Sequence, residues 1–153
     1  MKSVKPQFSR EHPHLGVLLH RARRLLDEEI VSALSAAGFH NLRIGHEAVF
    51  SFMPARGTRL TELARRARIT KQSMGELVRE LETLGYVERA ADPADGRAQI
   101  IRFTAMGERA NAVGIKTNVN FERKWGRAVG EKQMADLRSA LETMTRRPDK
   151  SEG

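Results

Sequence analysis

The sequence predicts a mainly α, α+β fold in which a helix-turn-helix and a β-hairpin wing sit between helical arms. Three observations carry this prediction. Within residues 60–104 (LTELARRARITKQSMGELVRELETLGYVERAADPADGRAQIIRFT) two short helical patterns flank a tight break. Two β-prone runs follow around the turn-forming Asp-Pro-Ala-Asp-Gly-Arg. Long amphipathic stripes lie on either side of the whole block. Such a shape can place one helix in a DNA major groove and a basic hairpin in the neighbouring minor groove.

Taken in order, residues 1–13 hold two prolines and no periodicity, and are expected to form a flexible arm. Leu15, Leu19, Ala22, Leu26, Ile30 and Ala33, widened by Leu18 and Leu25, predict a first helix over 14–37, stopped by Gly38. A second helix is expected over 45–53, ahead of Pro54. An extended piece at 58–60 leads into a third over 62–67, with Thr61 as N-cap and Leu63 and Ala64 inward. Thr70 caps a fourth helix that reaches Leu84 before Gly85, with Met74, Leu77, Val78 and Leu81 on one face. Strands are expected over 86–91 and 98–103. Thr104 caps a fifth helix to about residue 125, apolar on two sides and so in need of cover from two directions. A last helix over 131–145 carries Met134, Leu137, Leu141 and Met144 on one stripe, and the polar stretch 146–153 is expected to be disordered.

The domain organisation follows from these elements. Residues 14–53 form a dimerisation helix and a support helix, 54–104 the winged helix-turn-helix, and 105–145 further dimerisation helices. The terminal stripes exceed what a small central domain can cover, which points to a twofold homodimer, with a monomeric bundle as the alternative.

Composition narrows the function classes. A chain of 153 residues, 40% apolar, has a real core but no run long enough to span a bilayer, so no membrane partner is expected. No apolar segment follows the first residues, so no secretory signal is expected. The absence of cysteine excludes disulfides, cysteine-ligated zinc and thiol sensing, and fits a cytoplasmic location. Lys and Arg outnumber Asp and Glu by 27 to 19, a formal charge of +8 that favours an anionic partner, nucleic acid first. Residues 56–71 concentrate this surplus, with six basic side chains against Glu62 alone.

With the apolar face of the fourth helix buried, its open face centres on Gln72, Glu76, Arg79 and Thr83, with Gly75 beside them. Residues near the start of a recognition helix reach base edges, which singles out Thr70, Lys71, Gln72, Ser73 and Glu76. Gln72 suits a bidentate pair with adenine, Arg79 a guanine or a phosphate, and Gly75 a close approach to the groove. Asp95 and Arg97 lie at the expected hairpin tip, where arginine gains from the narrow minor groove and Asp95 can orient it. Alternatively Asp92 and Asp95 only make the turn. Arg56, Arg59, Arg65 and Arg66 suit phosphate contacts. An ordinary solvated helix face remains the competing reading for each residue.

These residues together resemble the MarR family of transcriptional regulators over about residues 14–144. The resemblance rests on LTELARRARITKQSMGELVRELETLGYVER, the DPADGR wing and the FTAMGERA entry into the fifth helix. It implies a winged-helix homodimer that binds double-stranded DNA at palindromic operators, usually as a repressor. It also implies release by a small effector, often aromatic or anionic, bound between the dimerisation region and the reading head. Two departures stand out. Gly96 precedes Arg97 where relatives often carry two adjacent basic residues, and Phe103-Thr104 replaces the usual Leu-Thr.

All five histidines, His12, His14, His20, His40 and His46, fall in the first third of the chain, without metal-ligand spacing on the expected helices. No metal or cofactor is therefore expected. The histidines suit solvated positions, dimer contacts or, for His20 and His46, the lining of an effector pocket; by the family pattern Phe50 is a further lining candidate, although core packing explains it equally well. No phosphate-binding glycine loop, Gly-x-Ser-x-Gly or cysteine nucleophile occurs, so an enzyme is not expected. The alternatives to a sequence-specific regulator are a nonspecific architectural DNA-binding protein and a winged-helix protein-interaction module.

Overall fold

The order of elements is α1 (Leu15–Ala36), a 3-10 turn (Ile44–His46), α2 (Glu47–Phe52), α3 (Leu60–Ala67), α4 (Lys71–Thr83), β1 (Val87–Asp92), β2 (Asp95–Phe103), α5 (Ala105–Val129) and α6 (Glu131–Thr145). This computed structural model describes residues 13–146. The arm expected over 1–13 and the tail expected over 146–153 lie outside the described residues but for Pro13 and Arg146, and His12 lies outside them too. Among the described residues no helix is long and apolar enough to cross a membrane.

Three helix starts are set by the expected chemistry or close to it. His14 stands at the N-cap of α1, Thr70 at that of α4 and Thr104 at that of α5, each accepting a hydrogen bond from a backbone amide three residues on. Gly38 and Gly85, with φ of 85° and 82°, take the left-handed conformation beyond α1 and α4. The helix-turn-helix break falls at Arg68, a non-glycine residue with φ of 55°, whose N–H closes the end of α3 on Ala64 and Arg65.

Four expectations need correction. The helix placed over 45–53 begins as a 3-10 turn, and its α-helical part is only Glu47–Phe52. Thr61 is not the cap of α3. The helix starts at Leu60 behind Arg59, because Thr58 is held extended by paired backbone bonds with Ile101 (2.9 and 2.8 Å) and the chain turns directly after it. The fifth helix continues to Val129: Gly126 keeps helical geometry, and the helix ends only at Gly130, whose φ is 105°. The hairpin is longer and tighter than expected. β1 and β2 pair antiparallel from Val87 opposite Phe103 to Asp92 opposite Asp95, so the tip is Pro93-Ala94.

The core lies between the helix-turn-helix and the hairpin. Leu63, Met74, Val78 and Leu81 from α3 and α4 are fully buried against Val87 and Ile101 from the strands and Val49 from α2. Phe50 stacks on Phe103 (5.2 Å between centroids) and meets Tyr86 edge-on (6.3 Å), so α2 is keyed to the base of the hairpin. The hairpin is in turn joined closely to α5. Thr104 donates to the Gly85 carbonyl (2.6 Å), and Gly107 lies so close that a Cβ there would stand 1.9 Å from the Tyr86 carbonyl oxygen.

The outer helices contrast with this core. Much of the apolar surface of α1 and α6 stays open, with Leu15 57%, Leu18 48%, Leu137 49% and Met144 62% exposed. Lys124 on α5 pairs with Glu29 on α1, and Arg138 on α6 with Glu122 on α5, so the three helices form one layer.

Candidate nucleic-acid interface

Burial of Met74, Val78 and Leu81 turns Lys71, Gln72, Ser73, Glu76 and Arg79 of α4 to solvent. The Gln72 amide leans on the Glu76 carboxylate at 3.4 Å, which leaves both side chains at the surface. Two residues have narrower roles than base reading. The Thr70 hydroxyl accepts from the Ser73 N–H (3.0 Å) and donates to the Ser73 hydroxyl (2.8 Å), so it is consumed by the cap. Gly75 is corrected outright: it is buried, its α-carbon turned to Leu60 of α3, where a Cβ would meet the leucine at 3.7 Å. It sets helix packing and does not face a groove.

The hairpin also departs from expectation. Asp95, Gly96 and Arg97 are not the tip but the first residues of β2. Asp95 accepts from the backbone N–H of Arg97 (3.1 Å) and leaves the guanidinium free, while Asp92 accepts from the Ala94 N–H (2.9 Å). Both aspartates therefore make the turn through local bonds. Arg59 binds both, at 2.7 Å to Asp92 and 3.3 Å to Asp95, and ties the start of α3 to the wing. The Ala94 N–H, and after it Arg59, hold the Asp92 carboxyl below its usual range.

The basic cluster thus divides in two. Arg65 and Arg66 both bond Glu62, whose carboxyl they bring down to about 2, so one of the two charges is locally neutralised. Arg56, Lys71, Arg79 and Arg97 are exposed and make no ion pair among the described residues. These four, and Arg68, which bonds only the Thr145 carbonyl, have no carboxylate among the described residues to compete with phosphate, whereas Arg59 ties the wing to the start of α3.

Behind the interface lies a cavity of about 290 Å³ among α1, the 3-10 turn, α2 and α5. Of the three expected lining residues, His46 and Phe50 line it. His20 does not: it is exposed on the N-terminal half of α1, away from the lining. His46 is 2% exposed. Its Nδ1 accepts from the Arg43 N–H (3.3 Å), which leaves Nε2 to donate to Glu80 on α4 (2.9 Å). Arg43 also lines the cavity and grips the same carboxylate through Nε and Nη2 (2.9 and 2.8 Å). Arg43 first and His46 second bring the Glu80 carboxyl down to about 2. Asp27, Arg23 and Glu47 form an ion-paired group at the same cavity.

Sequence reasoning missed Arg43, Glu80, Asp27 and Arg23. The i,i+4 spacing of Arg23 and Asp27 was a usable signal, since it marks a helical ion pair. Nothing local links Arg43 to Glu80, 37 residues on.

Comparison with known proteins agrees with this geometry. The MarR family profile matches residues 52–98. The chain is 37% identical over 103 residues to the HTH-type transcriptional repressor Rv2887 of Mycobacterium tuberculosis, covering 65% of this chain and 73% of that protein. It is similar in structure to CouR of Rhodococcus jostii bound to p-coumaroyl-CoA, with a TM-score of 0.69, 23% identity and coverage of 88% and 93% of the two chains. It is also similar to the repressor CouR bound to a 23-mer DNA duplex, with a TM-score of 0.69, 24% identity and coverage of 87% and 93%.

Proposed function

Because the chain belongs to the MarR family of transcriptional regulators, we propose that it acts as a homodimeric, effector-responsive repressor that reads an inverted-repeat operator. One observation carries the reading: Lys71, Arg79 and Arg97, cations without an ion pair among the described residues, stand with Gln72 on the open face of α4 and the wing. In this reading Lys71, Arg79 and Arg56 hold phosphates, Gln72 and Glu76 read base edges, and Arg97 enters the minor groove. Two reading heads about 34–36 Å apart match successive major grooves. Residues 54–104 are then the DNA-binding domain, 14–53 and 105–145 the dimerisation and support region, and the cytoplasm the place of action.

The cavity is the effector site in this reading. Arg43 and His46 line it and also bind Glu80 of α4, so a ligand that displaces either one alters the seat of the reading helix. Release of DNA requires the ligand to prefer the displaced arrangement, because equal affinity for both would shift nothing. The aromatic half of the expected effector chemistry suits the wall that holds Phe50. The anionic half meets the carboxylates of Asp27 and Glu47 on the same cavity.

Selection of bound fragments from the source genome supplies the operator, and titration against an unrelated duplex tests preference, expected at ~10³ or more. Arg97→Ala is expected to weaken binding to all sequences and flatten its salt dependence, whereas Gln72→Ala changes preference at one base per half-site. A chain that binds all duplexes alike is an architectural protein. One that binds none at low salt is a protein-interaction module.

A further inference from the structure

The cavity has a divided wall. One part is apolar, built from Ile30, Leu34, Leu42, Phe50 and Ile115. The other holds Asp27, only 8% exposed although it is charged. Both bonds from Arg23, through Nε (2.8 Å) and Nη2 (2.7 Å), go to Asp27 Oδ1. Asp27 Oδ2 accepts no hydrogen bond among the described residues. Glu47, also on the lining, shares the same guanidinium (Nη2 to Oε2, 3.2 Å) and takes the Ser51 hydroxyl on its other oxygen. One arginine thus faces two carboxylates, which leaves a net charge of −1. The other charged group on the wall adds nothing to this, because Arg43 is closed by Glu80.

We propose that this cavity takes a compact apolar or aromatic molecule bearing a protonated amine, with the ammonium bound at Asp27 Oδ2 and held in the field of Glu47. The proposal rests on the effector reading given above and supplies the ligand's charge. Asp27 is largely buried, but its unbonded Oδ2 is still accessible, so a donor that enters the cavity can reach it. A ligand cation completes the pair and restores local neutrality, and its hydrogen bond to a charged acceptor is of the stronger kind. An anionic ligand would have to shed water beside a wall already negative. A volume of about 290 Å³ suits a guest of roughly one ring and a short chain.

One aryl-alkyl frame in three charge states tests this: 2-phenylethylamine, 2-phenylethanol and 3-phenylpropanoate, titrated calorimetrically into the full chain. The amine is expected to bind at least roughly tenfold more tightly than the acid. Asp27→Asn should erase that preference, and Glu47→Gln should reduce it severalfold. Glu47→Gln keeps the test alive if Asp27→Asn, checked by circular dichroism, fails to fold. Equal or tighter binding of the acid, no heat from the amine at millimolar concentration, or an unchanged preference in the variants overturns the proposal. Retardation of the selected operator by the unliganded chain is scored separately. A chain that binds operator but favours the acid loses only this inference, whereas one that ignores every duplex loses the regulator reading as well.

Discussion

At Gly107 the lack of a side chain decides whether the hairpin and α5 can meet. A Cβ would stand 1.9 Å from a backbone oxygen, which cannot yield as a flexible side chain would. Gly107→Ala is therefore expected to destabilise the fold by ~2–3 kcal/mol, read as a lower melting temperature in calorimetry. An unchanged melting temperature would mean that the junction relaxes without cost. The glycine was visible in FTAMGERA, but the carbonyl it accommodates was not, because Tyr86 approaches only after the chain folds. The same limit applied to Arg59, an exposed arginine in a basic cluster. Only the folded hairpin brings Asp92 and Asp95 to it. Gly75 misled for a related reason: periodicity placed it on the boundary of two faces, and the approach of Leu60 settled which one.

Between elements, Glu80 joins α4 to the turn before α2, and Glu62 neutralises part of α3. Both carboxyls are lowered to about 2 from an ordinary value of 4.5. A depressed carboxyl contributes stability that is complete above its unfolded value and is lost as pH falls through the folded one. The melting temperature is therefore expected to lose this contribution only between about pH 4.5 and 2. Glu80→Gln should flatten the acid limb, and a limb identical to that of the parent chain would show that the Arg43 and His46 bonds are not kept in solution. At this scale the sequence was easily read. Periodicity and the Thr70 and Thr104 caps located α4, α5 and α6, since helix signals are local. The start of α3 escaped, because the pairing of Thr58 with Ile101, far along the chain, moves the cap to Arg59.

Over the whole molecule, the open apolar rows of α1 and α6 are the counterpart of the expected second copy. Leu15→Glu combined with Leu18→Glu places charge in the most exposed stretch of α1 and is expected to shift sedimentation from two copies to one. Operator affinity should then fall by about 10² or more, because two linked heads bind far more tightly than either alone. Retained dimers would move the interface elsewhere. The closeness of Gly107 to Tyr86 has a mechanical corollary at this scale. With its root at Tyr86 fastened to α5, the hairpin does not swing on its own, and α5 serves as its handle. That shaft of 25 residues is about 37 Å long. Tilting it by about 5° would sweep its far end through about 3 Å, so a slight twist where two subunits grip it would be delivered to DNA as a displaced arginine.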